Sequence, residues 1–307
     1  MKRYTAALLL SAALLGAMPA QAAGDDIPEE VRNTAPVAEN QTLETYRGVS
    51  VGGQLCAYDA DGDALTFEIA TEPMKGTVQL SADGYFIYTP KENKRGKDYF
   101  GFRAVDAEGN ASQEGTVIIK LIRQGSKLTY ADMTGSGAEY AAVALTEAGV
   151  FTAETIGADH VFDPSAEVSR GEFLSMCMTA AGCELLKGVS STGFLDDDEI
   201  GPWLKPYVAT ALLKGYISGE GTDARFRPEE AVDLRSACVM LDAILGVTDV
   251  VSVASYIDMP EEPGAQAVAN LTACDVMLSR PGALDAALTR ADAAELLQSA
   301  MDFLKNR

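Results

Sequence analysis

The chain has 307 residues, of which 47% are hydrophobic, and it carries 45 acidic against 24 basic side chains, a formal net charge of −21 at pH 7. Such an acidic protein repels nucleic acid and anionic membrane surfaces at long range, so we expect neither as a partner. The length and the hydrophobic content predict two or more domains, each large enough to bury a core.

The N-terminal segment has the pattern of a secretory signal peptide. Residues 1–3 carry two basic side chains, residues 5–18 are almost uninterruptedly apolar, and residues 20–22 form a small-x-small cleavage site. The alternative, a transmembrane anchor, needs about 20 apolar residues, more than this run supplies. We therefore expect residues 1–22 to be removed, and residues 23–34 to form the short, flexible N-terminus of a secreted protein without membrane attachment.

The five cysteines do not have the pattern of a disulfide framework. Their number is odd, and the spacing of Cys177 and Cys183 does not place them on one helical face. No spacing typical of metal ligands is present either. We predict buried free thiols at Cys56, Cys177, Cys183, Cys238 and Cys274.

Residues 35–123 alternate apolar and polar side chains with the period of two that is typical of β-strands. Turn signals that contain glycine separate the runs. Six or seven short strands in a segment of this length predict an antiparallel, all-β sandwich of immunoglobulin-like type. The apolar positions are Leu65, Phe67, Ile69, Val78, Leu80, Phe86, Tyr88, Phe100, Phe102, Ala104, Val117, Ile119 and Leu121.

Four motifs in this segment are specific. They are Pro-Val-Ala-Glu-Asn at 36–40, Asp-Ala-Asp-Gly-Asp-Ala-Leu-Thr-Phe at 59–67, Asp-Gly-Tyr-Phe-Ile-Tyr-Thr-Pro at 83–90 and Gly-Lys-Asp-Tyr-Phe-Gly-Phe at 96–102. On these motifs, the segment resembles the bacterial cadherin-like, Ig-like repeats of surface proteins. The resemblance implies a domain that spaces, adheres or presents a ligand, and catalysis is unusual in that family.

A calcium site is one interpretation of the acidic turns in this segment. Asp59, Asp61 and Asp63 occupy alternate positions of a glycine-containing loop, and carboxylates so spaced can converge on a hard cation. A second acidic turn, which begins at Asp106, completes the site if the two loops meet. The loop lacks the Gly and Glu that an EF-hand requires at its sixth and twelfth positions. Because Asp and Gly are also ordinary turn residues, a purely structural role is the alternative.

The remaining residues contain three copies of one plan. Each copy opens with an aromatic-x-Asp triplet, at 130–132, 194–196 and 256–258, and continues with two amphipathic helices. Units of this size bury their apolar faces against neighbouring copies, which predicts an all-α array. The predicted copies span residues 124–187, 188–250 and 251–307.

Short motifs in these copies are again specific. We expect the second helix to begin at Ser-Arg-Gly-Glu-Phe (169–173) in the first copy and at Leu-Thr-Arg-Ala-Asp (288–292) in the third, with Ser169 and Thr289 as the N-caps. The second copy has Trp203 and a Gly-Tyr-Ile-Ser-Gly turn at 215–219. On these motifs, the array resembles three S-layer homology modules in tandem. The second copy departs from the family at Asp-Leu-Arg-Ser (233–236), where the arginine is displaced by one position or lost.

This second resemblance implies non-covalent attachment to an anionic, often pyruvylated, secondary cell-wall polysaccharide or peptidoglycan-linked glycan at the cell surface. The family's grooves lie between neighbouring modules, so we expect one or two competent grooves, shared between copies. The residues implied in binding are Arg170, Glu172, Trp203, Gly215, Gly219, Arg235, Thr289 and Arg290.

Structural interpretations compete with this one. Arg170 and Arg290 would form helix-terminal salt bridges, worth at most about 1 kcal/mol when exposed. Trp203 would fill a core instead of stacking on a sugar.

No arrangement of residues predicts an enzyme. The densest acidic cluster, residues 196–199, lies in an opening loop, where we expect a solvated turn rather than a pair of glycosidase carboxylates. The one histidine in the sequence, His160, has no Ser or Cys motif beside it. Two hypotheses remain. One is a wall-anchored surface protein that presents its β-sandwich, and the other is a calcium-dependent adhesin or glycan-binding protein whose degenerate repeats are structural.

Overall fold

The computed structural model describes residues 33–218, 224–248, 264–278 and 282–307. None of the helices within these residues is both long and apolar enough to cross a bilayer. Outside the described residues lie the predicted signal peptide, Gly219 and the third aromatic-x-Asp triplet at 256–258.

Two β-sheets make up the N-terminal part. The strands are β1 (Val37–Ala38), β2 (Gln41–Tyr46), β3 (Val51–Gln54), β4 (Ala57–Tyr58), β5 (Thr66–Thr71), β6 (Gly76–Leu80), β7 (Tyr85–Pro90), β8 (Gly96–Val105) and β9 (Gly115–Ile122). The larger sheet has the order β2-β9-β8-β5 and the smaller sheet the order β3-β7-β6. Neighbouring strands are antiparallel, except that β2 and β9 run parallel. In addition, β1 and β4 form a two-stranded antiparallel pair.

The core between the two sheets consists of positions that the alternation predicts to point inwards. Phe86 and Tyr88 of the smaller sheet and Phe100 and Phe102 of the larger sheet are fully buried. The rings of Phe86 and Phe100 meet edge to face, with centroids 5.1 Å apart. Burial of one such side chain contributes about 1.5–3 kcal/mol. The predicted all-β, immunoglobulin-like sandwich is confirmed, but the prediction that all its strands pair antiparallel is wrong for β2 and β9, which pair in parallel.

Six helices follow within the described residues, two for each predicted copy. They are α1 (Glu139–Glu147), α2 (Arg170–Ala180), α3 (Lys205–Lys214), α4 (Leu234–Leu245), α5 (Ala265–Ala273) and α6 (Arg290–Asn306). A hairpin of β10 (Glu154–Ile156) and β11 (Asp159–Val161) lies between α1 and α2. We call α1 with α2, α3 with α4, and α5 with α6 the first, second and third helix pairs.

The three helix pairs close into a ring at the starts of their second helices. The Val168 N–H donates to the Leu288 carbonyl at 2.9 Å, and the Leu288 N–H donates to the Val232 carbonyl at 2.8 Å. The Val232 N–H completes the cycle by donating to the Val168 carbonyl at 2.9 Å. Each second helix also contacts the first helix of the next pair, α2 with α3, α4 with α5 and α6 with α1. One apolar core therefore runs through all three pairs.

A polar cap starts each second helix directly after this ring. Ser169 and Thr289 accept from the backbone N–H groups of Glu172 and Asp292, whose carboxylates accept in return from the cap N–H groups. Asp233 caps α4 with a side-chain hydrogen bond of 2.6 Å. Such caps contribute about 1 kcal/mol each. The N-caps predicted for the first and third copies are confirmed.

The Asp of the aromatic-x-Asp triplet holds a strained turn in the first two copies. Asp196 accepts from the backbone N–H groups of Phe226 and Arg227 at 2.9 and 2.7 Å, and Arg227 has a φ of 58°. Asp132 does the same for the turn at Asp163, whose φ is 54°. A non-glycine residue in the left-handed region costs about 1–3 kcal/mol. The hydrogen bonds to the charged carboxylate offset this cost.

The prediction of a solvated acidic turn at residues 196–199 is wrong for its first two members. Asp196 is only 1% exposed. Asp197 accepts from the Lys205 ammonium at 2.6 Å and from the Thr192 N–H at 2.6 Å. These bonds, the one from Lys205 first, lower the pKa of Asp197 to about 2. Both carboxylates are structural acceptors, because folding places backbone and ammonium donors around them.

All five cysteines are free, but their burial differs from the prediction. Cys177 and Cys238 are buried, whereas Cys56 is exposed. Since Leu55 points into the core, the alternation along the chain turns Cys56 outwards. Burial raises the pKa of the Cys238 thiol to about 12, so this thiol stays protonated at neutral pH. The remaining two, Cys183 and Cys274, are partly buried.

Backbone hydrogen bonds join the β-sandwich to the first helix pair. The Gly52 N–H donates to the Gly137 carbonyl at 2.8 Å, and the Tyr140 N–H donates to the Ser50 carbonyl at 3.1 Å. Glu139, buried at the start of α1, accepts from the Ser50 N–H at 3.0 Å. A Cβ at Gly52 would lie 3.0 Å from the Gly137 Cα, so this close approach requires glycine. The β-sandwich therefore has a fixed contact with the helical part.

Candidate functional site

A groove of about 470 Å³ is lined by residues of the first two helix pairs and by Gly264, the residue that precedes the third pair. The lining comes from the start of α2, the turn after α3, one face of α4 and the residue before α5. None of the described lining residues is acidic, although the whole chain has a net charge of −21. The residues that define the groove are Arg170, Gly215, Tyr216, Ser218, Arg235 and Gly264.

Arg170 lines the groove from the first position of α2. It is 8% exposed, and its guanidinium carbon lies 5.5 Å from the ring centroid of Phe226 in the second pair. The next residue, Gly171, allows the start of α2 to come close, and its N–H donates to the Pro228 carbonyl at 2.9 Å. A Cβ at Gly171 would lie 2.5 Å from a methyl carbon of Leu204. Helix start, glycine and aromatic ring together position this cation.

Arg235 lines the same groove from the second position of α4. The first position is Leu234, which is 3% exposed and belongs to the core. The arginine of the second copy is therefore displaced by one position and not lost. Gly264, with a φ of 83°, packs against it, since a Cβ there would lie 2.8 Å from the Arg235 Cγ. Two guanidinium groups, one from α2 and one from α4, thus line one groove.

The turn after α3 supplies the aromatic and hydroxyl groups. Gly215 ends α3 in the left-handed conformation, with a φ of 73°. Gly149 and Asp275 take the same conformation just after α1 and α5, with φ values of 75° and 57°. In the second pair this turn brings Tyr216 and Ser218 into the groove lining. The other glycine predicted for this turn lies outside the described residues.

The chemistry of the groove suits an anionic sugar. A guanidinium binds a carboxylate through two parallel hydrogen bonds. A tyrosine ring presents an apolar face with a polar tip, and the hydroxyls of Ser218 and Ser236 can donate to or accept from sugar hydroxyls. A few convergent polar groups on an otherwise apolar lining are typical of a ligand site.

Three predicted binding residues have structural contacts outside this groove. Arg290 donates from Nε to the Phe162 carbonyl at 2.7 Å, and its guanidinium carbon lies 4.9 Å from the Phe162 ring centroid. It also lies 5.3 Å from the ring centroid of Phe151. Glu172 and Thr289 take part in the two capping boxes. These contacts stabilise the helix starts, and a role of the three residues in binding stays a prediction.

Trp203 lies on the surface two residues before the start of α3. Its side chain is 59% exposed, so the interpretation that it fills a core is wrong. The indole meets the ring of Tyr207 edge to face, with centroids 6.5 Å apart. Trp203 does not line the groove. An exposed indole offers a surface on which a sugar ring can stack, and that role stays a prediction.

Sequence reasoning missed the apolar wall of the groove. Val239, Met240 and Ala243 lie on the side of α4 that also carries Arg235 and Ser236. Residues three and four positions apart on a helix lie on the same face, so this face could have been predicted once Arg235 was assigned to the groove. A second signal in the sequence is that Val239 lies outside the apolar stripe of α4. In the structure its side chain is 43% exposed.

The acidic turns of the β-sandwich meet, as the calcium interpretation requires. Asp59, Asp63 and Asp106 each offer a carboxylate oxygen, and these oxygens lie within 4.8 Å of one another. Asp59 and Asp106 are 7% and 6% exposed. Asp61 is not part of this group, because it accepts from the Thr34 N–H at 2.6 Å instead. The structure therefore brings together three of the four predicted carboxylates.

Charge repulsion acts within this cluster. The pKa of Asp63 is raised, by desolvation first and then by the negative charges of Asp59, Asp106 and Asp61. Neighbouring like charges favour the neutral form of a carboxyl group, whereas a bound cation favours the ionised form.

The comparisons with known proteins concern the N-terminal part. No curated protein sequence matches the chain. The sialic acid binding region of a Streptococcus sanguinis adhesin is 21% identical over 37% of this chain and 37% of that chain, with a TM-score of 0.24. The D00-D0 domain of Intimin is 19% identical over 31% of this chain and 50% of that chain, with a TM-score of 0.23. An endo-fucoidan hydrolase from glycoside hydrolase family 107 is 21% identical over 31% of this chain and 14% of that chain, with a TM-score of 0.25.

The chain thus spans at most half the length of these three structures. The resemblance of the helical part to S-layer homology modules stays a prediction. For the sandwich, the family model of the bacterial cadherin-like domain matches residues 33–124 and covers all nine of its strands. The predicted segment, residues 35–123, lies within that match. Residues 33–124 of this chain are a bacterial cadherin-like domain.

Proposed function

We propose that this chain is an exported surface protein that attaches non-covalently to an anionic cell-wall polysaccharide through its helix pairs and presents its cadherin-like domain. The proposed activity is binding, without catalysis. The observation that carries the proposal is the groove that the side chains of Arg170 and Arg235 line together, from the starts of α2 and α4.

The charge of the groove determines the class of ligand. A hydrogen bond to a charged group contributes about 1.5–3 kcal/mol, and a pyruvylated sugar carries its carboxylate directly on the ring. The hydroxyls of a neutral glycan could accept hydrogen bonds from the two arginines, but such a glycan would form no ion pair with them. Repulsion by the acidic remainder of the protein is screened over about 8 Å at physiological ionic strength, so it slows the encounter and leaves the local contact intact.

The sequence motifs of the helix pairs support the same ligand class. The resemblance to S-layer homology modules implies binding between neighbouring modules, and the groove takes residues from the first two helix pairs and the residue before the third. The fixed contact between Gly52 and Gly137 gives the cadherin-like domain a defined orientation on its anchor. In this proposal the domain is a spacer or an adhesive module at the cell surface.

Binding to purified sacculi tests the anchor. The mature chain, residues 23–307, is incubated with sacculi before and after removal of their secondary polysaccharide, and the bound fraction is measured by sedimentation. We expect binding only where the polysaccharide is retained, and weaker binding at high salt, because salt screens the attraction between guanidinium and carboxylate. An absence of binding to both preparations would contradict the proposal.

Two arginine variants locate the site. Arg235→Ala removes one guanidinium from the groove, and we expect the Kd to rise about 10–100-fold, which corresponds to about 1.4–2.8 kcal/mol. Arg225→Ala is the matched control, since the Arg225 side chain is 48% exposed, lies outside the groove lining and pairs with Glu199 at 3.9 Å. Equal losses in both variants would show that net charge, and not the groove, holds the polysaccharide.

The second hypothesis is an adhesin or glycan-binding protein whose helix pairs are a structural pedestal. Two observations favour it. The first position of α4, which is an arginine in α2 and α6, is Leu234 and is buried in the core. The Arg290 Nε donates a hydrogen bond to the Phe162 carbonyl. This hypothesis predicts that glycan-array binding of the mature chain survives Arg235→Ala and depends on the cadherin-like domain.

A further inference from the structure

Basic side chains gather at one end of the cadherin-like domain. This end contains the turn between β5 and β6, the turn between β7 and β8, the start of β8 and the last residues of β9. The loops with Asp59 and Asp106 lie at the opposite end, before β5 and after β8. We call the group the basic end, and its members are Lys75, Lys91, Lys94, Arg95, Lys97 and Lys120.

Hydrogen bonds fix the two turns of the basic end to each other. The Lys75 ammonium donates to the carbonyls of Arg95 and Lys97 at 2.9 and 2.6 Å. The Lys75 N–H donates at 2.7 Å to the carboxylate of Asp98, which is 3% exposed. The Lys91 N–H donates to the Lys75 carbonyl at 2.8 Å. The two turns therefore form one preorganised surface, which lowers the entropic cost of binding a ligand.

Like charges oppose each other on this surface. Lys97 of β8 lies directly opposite Lys120 of β9. Side chains so paired have Cβ atoms about 4.5–5.5 Å apart, and like charges in this arrangement are destabilising. Lys120 forms an ion pair with Glu44 at 2.7 Å. Within the described part of the chain, no ion pair includes Lys91, Lys94, Arg95 or Lys97.

Cations remain in excess at the basic end, in a chain whose net charge is −21. Its acidic residues are Glu44, Glu72, Glu92 and the buried Asp98. Six basic side chains thus share the surface with fewer carboxylates. An anionic partner would relieve the repulsion between Lys97 and Lys120 and would pair with the cations that have no carboxylate of their own.

An exposed aromatic ring lies beside these cations. Tyr99 follows Lys97 by two residues on β8, so both side chains point to the same face of the larger sheet. Tyr99 is 53% exposed, and Met74 in the neighbouring turn is 76% exposed. A tyrosine ring offers an apolar face on which a sugar ring can stack, and an ammonium group binds a carboxylate as a point charge. The combination suits an acidic sugar.

We propose that the basic end and Tyr99 bind a linear polysaccharide whose sugars carry carboxylates. A linear polymer can contact this end alone, whereas the plane of an anionic bilayer also faces the acidic remainder of the chain. Repulsion between that remainder and the polymer is screened over about 8 Å at physiological ionic strength. The surface belongs to the cadherin-like domain, so the proposal does not rest on the groove of Arg170 and Arg235.

Polygalacturonate, a linear polymer with one carboxylate on each sugar, is the probe. Fluorescein-labelled polygalacturonate is titrated with the mature chain, and the Kd is measured by fluorescence anisotropy. We expect binding at about 50 mM NaCl that is largely lost at about 500 mM NaCl, because salt screens exposed charges. Labelled dextran, a neutral glycan, should not bind. Absence of binding to polygalacturonate at low salt, or equal binding to dextran, would overturn the proposal.

A triple variant locates the site. Lys94→Gln with Arg95→Gln and Lys97→Gln removes three cations and leaves Lys75, which holds the turns together. We expect the Kd to rise at least about fivefold. The Tm should stay equal or rise, since repulsion between Lys97 and Lys120 is relieved.

The matched control removes the same charge at exposed positions elsewhere. It combines Lys127→Gln, Lys187→Gln and Arg225→Gln, and its Kd should stay within about twofold of wild type. Equal losses in the two triple variants would show that net charge alone attracts the polymer and would overturn the assignment.

Tyr99→Ala tests the sugar, because it leaves every charge in place. We expect the Kd to rise about three- to tenfold, in line with the loss of one stacked ring. An unchanged Kd would contradict a polysaccharide as the partner. Binding of the chain to phosphatidylglycerol vesicles that the triple variant of the basic end loses would assign this surface to a membrane instead.

Arg235→Ala in the same assay separates this surface from the groove. We expect the triple variant of the basic end to weaken binding whether or not Arg235 is present. If Arg235→Ala abolishes binding and the triple variant leaves it unchanged, the groove alone holds the polymer, and the proposal for the basic end is wrong. Failure of the groove proposal, in contrast, leaves the expected loss in the triple variant unaltered.

Discussion

Arg290 and Phe162 stand 128 residues apart in the chain and lie against each other in the structure, with Nε donating to the carbonyl at 2.7 Å and the guanidinium carbon 4.9 Å from the ring centroid. Arg170 and Phe226 form the equivalent stacked contact at 5.5 Å. In each case the first residue of a second helix covers the Phe that precedes a left-handed turn in the next pair. The contact of Arg290 joins the third pair to the first and so helps to close the ring.

Replacement of Arg290 by alanine should destabilise the protein and leave the residues that line the groove in place. We expect a loss of about 1–3 kcal/mol in the free energy of unfolding, because a stacked cation and a hydrogen bond are removed. Urea denaturation measures this loss, and Arg225→Ala, at an exposed position, should stay within about 0.5 kcal/mol of wild type. Wild-type stability together with lost polysaccharide binding would instead assign Arg290 to the ligand.

Asp196→Ala should be among the more damaging substitutions of a charged residue. It leaves the N–H groups of Phe226 and Arg227 without their acceptor at a turn of positive φ. We expect a loss of about 2–3 kcal/mol in the free energy of unfolding. Thermal unfolding followed by circular dichroism checks this value. Asp198→Ala, two residues later and exposed, is the control and should have almost no effect; equal effects would contradict the structural role of Asp196.

Acid should weaken the second helix pair through Asp197. Its pKa is lowered from 3.8 to about 2, chiefly by the Lys205 ammonium, so the folded state favours the ionised carboxylate. A lowered pKa gives stability that is present above the ordinary value and is lost as pH falls through the folded value. We expect the Tm to fall between about pH 4 and pH 2. In Asp197→Asn this part of the fall should be absent, and an unchanged pH profile would contradict the assignment.

Glu295 on α6 should have the opposite dependence. Burial, and then the charge of Asp292, raise its pKa from 4.5 to about 7. Because the folded state holds a proton that the unfolded state releases, stability falls as pH rises from about 4.5 to about 7 and is then constant. Glu295→Gln should therefore raise the Tm at pH 7.5 and leave it unchanged at pH 4.5. The gain in the free energy of unfolding at pH 7.5 is at most about 3 kcal/mol. A gain of equal size at both pH values would argue against titration of Glu295.

The elements of this fold could be predicted because their signals are local. The period-two pattern placed Phe86, Tyr88 and Phe100 inside the sandwich, since neighbouring side chains of a strand point to opposite faces. Ser169 and Thr289 could be assigned as N-caps because a cap bonds to an N–H group only three residues away.

The site could be predicted only in part, because its residues come from different helix pairs. Sequence motifs identified Arg170, Gly215 and Arg235 as candidate binding residues. They did not show that these three line one groove, or that Arg290 lies against Phe162 outside it. Among the acids, the alternation of Asp59, Asp61 and Asp63 gave three equivalent candidates. The meeting of two loops selected Asp63 with Asp106 and turned Asp61 towards Thr34.

The sequence by itself determined the two kinds of domain, the threefold plan and the helix starts, all of which follow from periodicity and contacts between residues close in the chain. Only the tertiary structure decided which arginines share a groove, which carboxylates meet and that Trp203 is exposed. The reason is ring closure. The hydrogen bonds between Val168, Val232 and Leu288 join segments more than 50 residues apart, and no local pattern contains the geometry that they impose.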